Sequence, residues 1–158
     1  MTDSPKPPAL DPDSVTPHVG SSYPAPFDAP CAARERRALG DALALTQFGV
    51  NLLTLPPGSW SSQRHWHENE DEFVYVLEGE VALITDAGEQ RLGPGMAAGF
   101  PAGRRDGHHL VNRSDRAARV LEVGTRAAQD YGEYPDVDLT VEIRGASARF
   151  LHKDGEPY

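Results

Sequence analysis

From Arg36 onward, hydrophobic residues come in short runs cut apart by turn formers, a pattern of strands rather than helices. Gln47–Leu55 reads as a strand stopped by Pro56-Pro57-Gly58. Glu72–Leu77 follows, then Val81–Thr85 beyond the Glu78-Gly79-Glu80 turn, Gln90–Leu92, Ala97–Phe100, His108–Asn112 and Arg119–Gly124. After a stretch read as a polar loop, Thr140–Arg144 and Ala148–His152 predict a last hairpin across Gly145-Ala146-Ser147. Only Ala32–Ala44 has helical character, and Gly40 and Asp41 weaken it. Many short, regularly spaced strands without an internal repeat predict an all-β sandwich or barrel. Within Glu72–Leu77, alternation sets Glu72 on the face of Val74 and Val76. Phe73, Tyr75 and Leu77 take the other face, an apolar surface that calls for cover by the arm, a helix or a second subunit, and hence for a homodimer.

The first 30 residues follow a different rule, since eight of the 14 prolines fall there: Pro5, Pro7, Pro8, Pro12, Pro17, Pro24, Pro26 and Pro30. Such density prevents regular ladders and favours extended backbone. Residues 1–35 therefore read as a Pro-rich arm, extended or partly disordered and mobile or surface-draped over 1–22, with Tyr23 and Phe27 as anchors; 36–158 read as the folded domain.

A chain of 158 residues is one domain's worth, long enough to bury a core without cross-links or metal, so a metal site here needs a chemical reason. The net charge of −9 argues against nucleic-acid partners, whose phosphates are held by clustered Lys and Arg. One cysteine, Cys31, forms no internal disulfide and fits a reducing compartment. With no apolar run of membrane-spanning length and no secretory h-region, the expectation is a cytoplasmic protein without a membrane partner.

The chemistry lies in the histidines. If Gln63–Glu68 is extended, Gln63, His65 and His67 share a face, while Arg64, Trp66 and Glu68 point the other way, with Trp66 as outward cover. A core-facing Glu72 needs a compensating cation, and two imidazoles supply one through a shared divalent metal. The third imidazole comes from His108 or His109, which parity does not separate: the first carries Leu110 and Asn112 inward, the second only Val111. Three imidazoles and a carboxylate suit one divalent transition metal (Zn, Mn, Fe or Ni) and leave positions for water or substrate. His18 and His152 read as surface residues.

These residues also resemble a known family. Gly58-x6-His65-x-His67-x4-Glu72-x6-Gly79 looks like the first cupin motif, with one extra residue before the His; Gly95-x5-Pro101-x-Gly103-x4-His108-x3-Asn112 resembles the second, with two extra residues before its His. Met96 stands where that Pro-Gly turn often has Asp. The resemblance implies a double-stranded β-helix, a cupin or jelly-roll barrel often paired into dimers, and a metal held by His65, His67, Glu72 and His108. It selects His108 over His109, because only His108 has Asn four residues later.

Such a centre suits sugar or sugar-phosphate isomerisation, an Fe(II)-dependent dioxygenase, or a non-catalytic small-ligand sensor, and the sequence leaves these open. No second inward acid or base is visible. Gln63 is a substrate-binding candidate by parity, and Arg104 with Arg105, in a glycine-bounded loop, suits an anionic small molecule.

Overall fold

The proline and glycine breakers divide the chain into strands that are almost all antiparallel neighbours in space. The computed structural model describes residues 6–158, and residues 1–5 of the predicted arm lie outside them. In chain order the strands are β1 (His18–Val19), β2 (Glu35–Ala38), β3 (Phe48–Leu55), β4 (Trp66–His67), β5 (Glu72–Glu78), β6 (Val81–Thr85) and β7 (Gly88–Leu92). They continue as β8 (Ala97–Phe100), β9 (His109–Val111), β10 (Ala118–Thr125), β11 (Gln129–Tyr134), β12 (Leu139–Arg144) and β13 (Ser147–Leu151), with one short helix, α1 (Leu39–Ala42), after β2. Among the described residues, no helix is long and apolar enough to cross a membrane.

One sheet runs β1-β2-β3-β10-β5-β8. Facing it are two smaller sheets, β13-β12-β11-β4 and β7-β6-β9, joined edge to edge by the Trp60–Val111 and His65–His108 bridges. The protein is thus an all-β sandwich. Its apolar core fills one end: Leu53 and Leu55 of β3, paired with Val120 and Ala118 of β10, meet Val74 and Val76 of β5 and Val81, Leu83, Leu92 and Leu110 of the opposite leaflet. Each large aliphatic side chain buried there is worth about 1.5–3 kcal/mol. At the other end the inward positions turn polar: Arg36, Asn51, Glu72 and Glu122 continue the faces of Leu53, Val74 and Val120. The sandwich is a plug of hydrocarbon at one end and a polar interior at the other.

Gly79, in the β5–β6 turn, has φ +73°, and a Cβ there would stand 2.8 Å from the Ala117 carbonyl oxygen and the Ala118 Cα. Glycine therefore lets this hairpin pass beneath β10.

Three sequence expectations change. The stretch read as a polar loop contains β11, whose buried positions are Asp130, Gly132 and Tyr134; no apolar alternation announced it. The weakly helical Ala32–Ala44 is strand β2 followed by the four-residue α1. The extended run expected over Gln63–Glu68 is a strand only at Trp66–His67, with bends before it, so parity does not govern Gln63.

Before β2 the chain runs as a strap. Two short 3-10 turns, Pro12–Ser14 and Ala29–Cys31, flank β1, which pairs with β2. Tyr23 and Phe27 pack against Tyr134, Leu139 and Val141 in a second apolar cluster, and Tyr23 meets Tyr134 edge-on at 5.5 Å. Outside the sandwich, Phe73, Tyr75 and Leu77 of β5 are exposed in the single chain.

Candidate metal centre

Four side chains reach one point between the sheets. His65 precedes β4, His67 lies on it, and His108 immediately precedes β9, all in the back leaflet; Glu72 opens β5 in the front sheet and crosses the gap. The main chains of His65 and His108 are bonded to each other in both directions, at 3.1 and 2.9 Å, which places their side chains next to one another. The Glu72 carboxylate oxygen Oε2 lies 2.8 Å from His108 Nε2, 3.4 Å from His65 Nε2 and 3.7 Å from His67 Nε2.

Outer contacts turn the rings. His65 Nδ1 donates to the Gln63 carbonyl at 2.8 Å, and His67 Nδ1 donates to Asp130 Oδ2 at 2.5 Å, so both Nε2 lone pairs face Glu72. Asp130 is itself fixed by the Asn69 amide at 2.8 Å. The His108 ring stacks flat on Phe100 at 3.5 Å, and its Nδ1 is buried without a partner. Three inward-facing imidazole nitrogens around one carboxylate fit a divalent transition ion, while Ca²⁺ and Mg²⁺ prefer all-oxygen cages.

Electrostatics follow from burial and these neighbours. Burial would raise the Glu72 carboxyl, but the imidazoles of His65, His108 and His67 hold it well below the usual carboxylate range. Burial works against the His67 cation, yet Asp130 and Glu72 raise it above the ordinary histidine value. Burial lowers His108. Burial also raises Glu70, a carboxylate that sequence reasoning missed; its oxygen and the donor atoms of His67 and Asp130 lie within 4.8 Å of one another.

The cluster separates two chambers. The first, about 230 Å³, lies toward β6 and β8 and is lined by Leu83, Ala98, Phe100, Arg104 and the site residues His67, Glu70, Glu72 and His108. The second, about 380 Å³, lies under the strap and is the polar interior, with Ser21, Ser22, Arg34, Asn51, Ser62 and Tyr134 among its walls; Glu70 and Glu72 border both.

Of the substrate-binding candidates, Arg104 borders the first chamber, Arg105 stacks over the Trp66 ring at 5.2 Å, and the Gln63 amide is spent on the Phe27 carbonyl at 2.7 Å and lines neither chamber. Trp66, expected as outward cover, is buried and borders the first chamber. His109 packs edge-on against Trp60 at 4.7 Å. Asp130 and Glu122 were invisible as site residues because an inward polar residue on a strand looks like a surface one, and Arg34, just before β2, lies in a stretch with no pattern at all.

The cupin-domain family profile matches residues 51–124, a span that contains all four side chains of the cluster. The chain is 46% identical to a cupin-superfamily sugar phosphate isomerase from Silicibacter pomeroyi, over 96% of each chain with a TM-score of 0.92. This chain belongs to the cupin superfamily. It is also similar to a protein from Acidithiobacillus ferrooxidans named as a candidate sugar phosphate isomerase, at 28% identity over 80% of this chain and 81% of that one, TM-score 0.73. The polyketide cyclase RemF of Streptomyces resistomycificus shares the fold at 23% identity, over 74% of this chain and 78% of that one, TM-score 0.60. No curated protein matches the chain.

The Asp130 contact predicts a measurable effect. Asp130→Asn keeps the shape but removes the charge that orients and strengthens His67, and should weaken metal binding by about 10–100-fold. Competition with a chromophoric chelator reads this directly; unchanged affinity would show that His67 is held by packing alone.

Proposed function

We propose that this protein is a metal-dependent cupin that interconverts aldose and ketose forms of a small sugar phosphate, with His65, His67, Glu72 and His108 as the ligands of one divalent ion. The observation that carries the reading is the gathering of three Nε2 atoms around Glu72 Oε2, at the junction of two chambers. The likeness to the Silicibacter pomeroyi protein over nearly the whole chain supports the substrate class. The ion would supply Lewis acidity to two adjacent substrate oxygens.

The remaining work falls to the chain's own groups. Moving a carbonyl from C1 to C2 requires one proton to pass from C2 to C1 and the hydroxyl proton of O2 to pass to O1. Glu70 stands beside the cluster and borders both chambers, and one of its oxygens is held by the Ala127 amide at 3.0 Å. Its other oxygen is the group we assign to the proton transfer. Phe100 and Leu83 give the first chamber an apolar wall beside the site.

His67→Ala tests the reading. Purified without a His tag, it should lose most of its metal and with it the exchange of aldose phosphate for ketose phosphate, whereas His18→Ala should keep both. Equal metal in the two proteins, or turnover that consumes oxygen, would sink the isomerase assignment.

A further inference from the structure

Arg34 is a buried cation that the metal centre does not use. It is only 6% exposed, and it has no carboxylate at salt-bridge distance among the described residues. Nε donates to the Gly20 carbonyl at 2.9 Å and Nη1 to the Ser61 carbonyl. Two neutral acceptors leave three of its five N–H groups unspent and its charge uncompensated, an arrangement that a protein interior tolerates poorly. The neighbouring Arg36 differs, because Glu122 grips it with both oxygens at 2.8 and 3.0 Å. One residue past Gly20, the Ser21 hydroxyl is buried without a partner; Ser21 and Arg34 both line the second chamber, with Ser22, Ser61 and Ser62. The carboxylates of that chamber do not oppose an anion at this end: Glu122 is neutralised by Arg36, while Glu70 and Glu72 stand at the metal cluster.

We infer that the Arg34 end of the second chamber is a phosphate subsite, where a phosphomonoester is held by the free guanidinium N–H groups of Arg34 and the Ser21 hydroxyl, with its carbon chain extending to the metal cluster. The inference rests on the sugar phosphate reading above and deepens it. It puts the anion under the N-terminal strap rather than against Arg104 and Arg105 on the far side of the cluster. A chamber of about 380 Å³ falls within the usual size of small-molecule sites.

Calorimetric titration of the full chain with glycerol 3-phosphate and with inorganic phosphate tests this. Saturable binding with the ester preferred is expected, weakened about tenfold or more in Arg34→Lys. Arg34 also ties the strap down, so Ser21→Asp serves as the second variant: its carboxylate occupies the Arg34 guanidinium from within, and binding should vanish while the melting temperature stays at or above that of the unaltered chain. Binding that survives in folded Ser21→Asp, that is lost in Arg104→Ala alone, or that favours free phosphate over the ester overturns the inference. The two readings fail separately, because His67→Ala should lose metal yet still bind glycerol 3-phosphate. Phosphate binding without sugar phosphate turnover would remove the isomerase reading and leave the anion site standing.

Discussion

Glu70→Gln should lower kcat for aldose–ketose exchange by about 10²–10⁴-fold, the usual worth of a positioned proton carrier, while bound metal stays near its full level. Glutamine has the same shape and can still accept from the Ala127 amide through its carbonyl, so the loop between β4 and β5 should hold its course. What it lacks is the ability to take up and return a proton. Burial raises the Glu70 carboxyl from its ordinary value, a shift toward the working pH that favours a base for a carbon-bound proton. Proton NMR of a sugar phosphate in deuterated water reads both the exchange and the label delivered to carbon. A kcat within about twofold of the unaltered protein, with full metal, would remove Glu70 from the proton path.

Leu53→Ala should destabilise the fold by about 2–5 kcal/mol. Leu53 is fully buried in a cluster drawn from both leaflets of the sandwich, so its removal leaves a hole between two β-sheets, which cannot easily collapse. For a chain of this length, each kcal/mol is worth about 2–4 °C in melting temperature, so a fall of several degrees at least is expected. Metal content at low temperature should be unaffected, because Leu53 lines neither of the chambers that meet at the cluster. A loss below about 1 kcal/mol in urea titration would mean that neighbouring chains refill the space.

The contrast between these two ends explains what the sequence disclosed. Strands β3, β5, β6, β8 and β10 were legible because their inward positions are apolar somewhere along their length, as with Leu53 and Leu55 or Val74 and Val76. The four cluster residues were legible through their spacing. Strand β11 was not, since Asp130, Gly132 and Tyr134 face a polar interior and give no hydrophobic alternation. The same inversion hid Arg36 and Glu122, whose inward, half-buried charges read as surface residues in a string of letters, and buried Arg34 beside β2. Gln63 shows the opposite error: parity pointed it at the site, but bends before β4 turned it to the strap. The partner of an outer contact, such as Asp130 for His67 across 63 positions of chain, becomes visible only when strands pair.

The paired main-chain bonds between His65 and His108 have a consequence for how readily an ion is captured. Two of the proposed ligands are spaced by the backbone at the joint between two leaflets, not by the rotamers of independent side chains. Gathering them is completed when the leaflets zip together, so the ordering entropy belongs to folding and little of it remains to oppose ion capture. An ion seated there would act as a rivet across that joint, and slow amide exchange at His65 and His108 would be its signature.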